Sequence, residues 1–127
     1  MIEVNGMAHV ILTVSQWDRA RAFYAELLPF LGMTKVYDGN NFLYHVGGRT
    51  AIGIQRCAPE HENERFVQNR IGLHHLCLRA RSRQDVDAAR TRCGRSVAVS
   101  IAAPLKATSR LAIISLSLKI PMAFDWK

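Results

Sequence analysis

Cysteine is scarce in this chain and its spacing pairs nothing: Cys57, Cys77 and Cys93 are an odd three with no Cys-x-x-Cys among them. That excludes a disulfide framework and a dithiol redox motif, and reads as free thiols in a reducing compartment. Long apolar runs are missing too, and residues 1–9 lack the basic segment and apolar core of a signal peptide. The expectation is a cytoplasmic protein with no membrane partner. Acidic residues are few, 10 against 17 Lys+Arg for a formal charge of +7. The imbalance is uneven: residues 1–90 carry 11 basic and 9 acidic side chains, residues 91–127 carry 6 and 1. Basicity therefore belongs mainly to the last third of the chain, and no nucleic-acid partner is expected.

What is present suits one domain of 127 residues, large enough to bury a core and too small for two. Residues 8–14 form a β-branched run that predicts a mostly buried strand. Ser15 offers an N-cap, with Asp18 in the first turn of the helix that follows. From Trp17 to about Leu31, Ala20, Phe23, Tyr24, Leu27, Leu28 and Leu31 recur at three and four residues, one apolar face of a helix that Gly32 stops. These positions read as core. Three short strands are predicted at 33–37, 41–46 and 50–55, with 38–40 and Gly47-Gly48 as turns. Residues 58–69 read as an exposed connection, residues 72–80 as another strand, and Ser82 as the cap of a second helix starting near Gln84.

The order repeats after about 66 residues. His9-Val-Ile-Leu-Thr-Val14-Ser15-x-x-Asp18 aligns with His75-Leu-Cys-Leu-Arg-Ala80-Arg-Ser82-x-x-Asp85, each a histidine opening a strand that leads into a capped helix. Alternation along the second strand sends His75 and Cys77 to one face and His74 and Leu76 to the other, so one of the adjacent histidines can match His9.

Met7-Ala8-His9-Val10, Asp18-Arg19-Ala20-Arg21-Ala22-Phe23-Tyr24, Leu27-Leu28-Pro29-Phe30-Leu31-Gly32-Met33 and Gly72-Leu73-His74-His75, taken in order, resemble the vicinal-oxygen-chelate superfamily. That superfamily includes glyoxalase I, extradiol dioxygenases, fosfomycin-resistance thiol transferases and bleomycin-binding proteins. The resemblance implies an α+β fold: paired βαβββ modules in a cupped mixed sheet, here residues 1–56 and 71–127 of a single domain. It implies a divalent metal that chelates neighbouring substrate oxygens and stabilises developing charge. His9 and His75 are the implied ligands, with a glutamate on the final strand as the third. Imidazole suits Fe, Mn, Zn or Ni, so ligand type leaves the metal open. Gln55 falls where some relatives place a fourth ligand, although a polar strand end is the simpler reading. His45 is expected to line or flank the sheet, His61 to belong to a solvated charge run, and Cys77 to be a small buried apolar residue. Relatives commonly pair modules between chains, which implies a homodimer.

The second module departs from that pattern after about residue 90. Codons compatible with residues 105–114, regrouped one base upstream, can spell EGDLAPGYY, and residues 118–127 can spell FEDPDGIRLE. Part of this is forced: the final G of the single Met122 and Trp126 codons, followed by Ala123 and Lys127, must read Gly and Glu. Two strings in one register and in the superfamily's order identify residues from about 90 onward as a frameshift product. The third ligand then lies in the regrouped bases of Trp126 and Lys127, and metal binding is expected to be weakened by its loss. Residues 96–102 and 111–118 remain β-competent and could stand in for missing strands. Three readings follow: a metal-dependent lyase, thiol transferase or dioxygenase lineage acting on a small oxygen-rich molecule, impaired in this chain; a bleomycin-resistance-type binding protein without catalysis; or a non-functional frameshifted product.

Overall fold

The computed structural model describes residues 1–67, 69–93, 98–101 and 114–117, which fall into two compact units, Met1–Arg65 and the described part of Phe66–Pro121. In the first, strand β1 (Val10–Val14) buries Leu12 and Val14 and turns Ile11 and Thr13 outward, the period-2 alternation of a strand covered on one side. Helix α1 (Trp17–Phe30) buries Trp17, Tyr24, Leu27 and Leu28, the stripe its three- and four-residue spacing predicts. Strands β2 (Thr34–Asp38), β3 (Phe42–Gly47) and β4 (Thr50–Arg56) complete a mixed sheet in the order β1-β4-β3-β2, with β1 parallel to β4 and the other pairs antiparallel. This is the α+β βαβββ module expected from the sequence.

The ends of α1 depart from and agree with the expectation in turn. Ser15 does not cap the helix. The cap position is Gln16, left-handed at φ 47 and ψ 56, and it makes no side-chain cap bond. Ser15 is buried, and its hydroxyl donates to the Glu64 carbonyl at 3.1 Å, so a contact 49 residues away wins over the local one. At the other end Met33 N–H bonds Leu28 O and Gly32 N–H bonds Pro29 O, with Gly32 at φ 81. That is a Schellman closure in which glycine supplies the left-handed residue without a Cβ penalty.

The β3–β4 turn lies one residue later than Gly47-Gly48. Gly48 and Arg49 are its two central residues at φ 60 and φ 64, the doubly positive geometry that matches the twist of a tight hairpin. Arg49 takes this conformation at a cost of about 1–2 kcal/mol, because its Cβ crowds the backbone.

Cross-strand partners project to the same side of a sheet, so the register defines two faces. Leu12, Val14, Leu43, His45, Ile52 and Ile54 form the inner face, all buried beneath α1, which packs on β2, β3 and β4. Edge strand β2 is exposed along its length, and Asp38 ties it to its surroundings by ion pairs to Arg21 at 2.7 Å and Lys35 at 3.0 Å. The hydrogen bonds from Lys35 and Arg21 hold the Asp38 carboxyl below the usual carboxylate range.

In the second unit, helix α2 (Arg83–Cys93) opens as expected at Ser82. Asp85 N–H donates to Ser82 Oγ at 3.1 Å while Asp85 Oδ2 accepts from Ser82 N–H at 3.1 Å and from its hydroxyl at 2.8 Å, a reciprocal capping box. Strands β5 (Ala98–Ile101) and β6 (Ile114–Ser117) pair antiparallel, within the two segments read as β-competent. Residues 72–80 do not form the expected strand: no ladder partner for them occurs among the described residues. The side-chain alternation survives, with Leu76 buried, Leu78 and Ala80 half-buried, and His75, Cys77 and Arg79 exposed.

Candidate functional site

The outer face of the first sheet carries a row of aromatic rings. Ile11 pairs with Gly53, and Gly53 pairs with Tyr44, so these three lie side by side across β1, β4 and β3 on the side away from α1. A Cβ on Gly53 would collide with Ile11 Cδ1 and sit 2.9 Å from Phe42 Cζ. Glycine here lets a large apolar chain from one strand and an aromatic ring from the other close over β4. The result is a row of rings: Tyr37 lies 6.1 Å from Phe42, and Phe42 stacks 5.6 Å from Tyr44 with 25° between planes. His9 ends the row, edge-on to Tyr44 at 6.5 Å, exposed and just ahead of β1. The aromatic alternation at Phe42 and Tyr44 was visible in the sequence; its alignment with His9 depends on β1 pairing beside β4, a long-range fact.

Gln55 shares this face but stands opposite Thr13, four residues along β1 from His9. At a strand rise of about 3.3 Å per residue that offset is about 13 Å, so strand geometry alone does not set the two side by side. Its amide Nε2 donates to the Arg56 carbonyl at 3.3 Å. Gln55 also lines an open cleft of about 390 Å³ with Asn41, Arg56, Cys57, Ala58 and Pro59. Arg56 there is paired with Glu62 at 2.6 Å.

His45 points the other way. It is 0% exposed on the inner face, and neither ring nitrogen has a partner among the described residues. Burial holds its imidazole below the ordinary value, with the Lys35 charge adding to the effect and Asp38 opposing it. His45 is thus a neutral core residue. His61 lies in the exposed connection and bonds Glu64 at 2.7 Å, which raises its pKa through the hydrogen bond and the carboxylate charge.

His75 belongs to the second unit, where it is exposed. His74 does not turn away from it as an extended strand would require; the two Nδ1 atoms approach to 2.7 Å with ring centroids 5.0 Å apart. Gly72, at φ 142, precedes the pair, and without a ladder nothing enforces strict alternation of the rings. Cys77 is exposed rather than buried, because Leu76 and Leu78 take the inward positions.

His9 and His75 offer two imidazole donors of the kind a borderline divalent cation accepts. Among the described residues no group of three or more His, Cys, Asp or Glu is placed to hold an ion. The set fits a metal in ligand type and falls short of a closed site in number. Asp125 and the regrouped codons of Trp126 and Lys127 lie outside the described residues.

No family model matches the chain, and no curated protein matches it. Among solved structures, a protein of Bacillus halodurans assigned as a glyoxalase superposes with a TM-score of 0.66 at 24% identity, over 74% of this chain and 73% of its own. The chain shares the fold of that glyoxalase. A lactoylglutathione lyase of Agrobacterium tumefaciens superposes at a TM-score of 0.49 and 20% identity, over 79% of this chain and 75% of its own. The shared fold matches the βαβββ order of the first unit.

Proposed function

We propose that this chain is a glyoxalase-type small-molecule-binding protein whose ligand lies on the outer face of the first sheet, beside a divalent cation held by His9 and His75. The observation that carries the reading is the position of His9 at the end of the Tyr37–Phe42–Tyr44 row, on the face that α1 leaves open. The rings supply apolar contact and stacking for an organic ligand, and the small residues Ala51 and Gly53 keep the floor beneath them low. When bound, a cation would polarise neighbouring oxygens of that ligand. His9 and His75 contribute the nitrogen lone pairs, each from the opening of an equivalent repeat.

Activity of the lactoylglutathione-lyase, thiol-transferase or ring-cleaving dioxygenase kind asks more of the site, because two neutral imidazoles compensate none of the cation's charge. On this reading metal binding is weak and any such activity impaired. A second reading, sequestration of a ligand without catalysis, is favoured by the aromatic floor on the outer face. We read the protein as a cytoplasmic homodimer, the dimer being supported by β1, an edge strand of its sheet among the described residues.

Calorimetric titration of the full chain with Ni(II) and Zn(II) tests the metal reading. One ion per chain is expected, with affinity falling at least about tenfold in both His9→Ala and His75→Ala. Restoring the reading frame after about residue 90 should tighten binding further. A repaired chain with no metal affinity would overturn the ligand assignment.

A further inference from the structure

We infer that His45 makes the seam between edge strand β2 and the rest of its sheet open on acidification, ahead of unfolding of the core. The buried imidazole lies on the inner face of β3, directly opposite Lys35 of β2 and Ile52 of β4, and neither ring nitrogen has a partner among the described residues. A neutral ring is tolerated there; a proton would leave an unpaired charge among apolar side chains. The groups around it supply no counter-ion. On β2 these are Lys35 and Asp38, on α1 Arg21 and Tyr24, while the inner faces of β1 and β4 present only Leu12, Val14, Ile52 and Ile54. Both oxygens of Asp38 are taken: Oδ1 accepts from Arg21 Nε at 2.9 Å and Nη2 at 2.7 Å, and Oδ2 from Lys35 Nζ at 3.0 Å. Burial pushes the Tyr24 hydroxyl up, so it stays neutral.

Strand β2 is the element that yields. It contributes no buried side chain, its ladder to β3 is broken by a register shift between Lys35 and Tyr37, and the Arg21–Asp38 ion pair ties it to α1. Parting β2 from β3 therefore wets one flank of His45 and leaves β1, β3 and β4 in register, a local opening that few buried contacts resist. In the fold His45 is held below its ordinary value by burial first and the Lys35 charge second, with Asp38 opposing; the opened seam returns it toward about 6.5. The seam is thus closed above about pH 6.5, and its opening rises by up to about tenfold per pH unit below that until the folded value is passed. Tyr37, one end of the aromatic row, leaves with β2. That last consequence bears on the ligand reading proposed above; the seam itself does not rest on it.

Amide hydrogen exchange of the full chain at pH 6.5 and pH 5.5, corrected for the chemical exchange rate, reads the seam directly. Amides of β2 should lose protection by up to about tenfold between the two, while the β4 amides bonded to β1 keep theirs. His45→Leu should abolish the difference. Lys35→Met keeps His45 in place and frees Asp38 Oδ2 as an acceptor, so it should shrink the β2 response even where His45→Leu fails to fold. Loss of protection in β2 and β4 together would overturn the inference. So would a β2 response absent from the parent chain, undiminished in Lys35→Met, or persisting in a folded His45→Leu.

Discussion

The two units begin with the same sequence device and end in different places. Residues 9–18 and 75–85 each run from a histidine through alternating apolar positions into a helix, and α2 is the better capped of the two helices, by Ser82 and Asp85 against an uncapped Gln16. Yet among the described residues most of the buried core lies in the first unit, where β1, β3, β4 and α1 each send side chains to one inner face. In the second unit the buried hydrophobics among the described residues are Leu76, Val86 and Ala89. Local signals suffice to start an element. A core needs several strands delivered in register to one place, and that information is spread over 40 residues rather than ten.

Truncating the core should separate the units most sharply. Leu43 is 0% exposed on the central strand β3, and Leu43→Ala should cost about 2–5 kcal/mol in urea denaturation. Val86→Ala in α2 should cost less, since fewer carbon atoms are removed; equal costs would break the contrast. Gly53→Ala, which drives a methyl into Ile11 and the Phe42 ring, should cost about 1–3 kcal/mol and disturb the aromatic row. The helix starts give a pair of opposite sign. Ser82→Ala should destabilise by about 1 kcal/mol through loss of the capping box. Gln16→Gly should instead stabilise by up to about 1 kcal/mol, because glycine accepts the left-handed conformation that glutamine takes under strain.

The smallest effect is one of acidity. His45 is buried neutral, with its pKa in the fold depressed below the ordinary value of about 6.5, and the groups whose charge it feels are Lys35 and Asp38. Above that ordinary value neither the folded nor the unfolded state binds the proton, and the contribution to stability is full. As pH falls through it the unfolded chain takes up a proton that the fold resists, so stability declines until the depressed folded pKa is passed. Chemical denaturation from pH 8 to pH 5 should show this decline, and His45→Leu should flatten it.

The sequence carried the first module well. Periodicity located β1, α1, β3 and β4 within two residues, and Gly32 marked the helix end because a Schellman closure demands a residue of its kind. What it could not carry was the outcome of competition at a distance. Ser15 has the chemistry of a cap, but Glu64 offers its hydroxyl a buried partner. Residues 72–80 keep strand alternation with no ladder partner among the described residues, since a ladder requires a second segment that the local pattern does not specify. His9 and His75 were legible as a repeated pair. The aromatic row beside His9 became visible only once β1, β4 and β3 were in register, and the contact of His74 with His75 ran against the alternation expected of neighbours. The regrouped strings of the last third fall largely on residues outside those described.

Paramagnetic broadening of the histidine ring signals during a Mn(II) titration asks most directly whether two imidazoles from the two repeats meet at one cation. The account predicts that His9 and His75 broaden first and together, at the same substoichiometric Mn(II). Broadening of one without the other, or of His61 ahead of both, would contradict it.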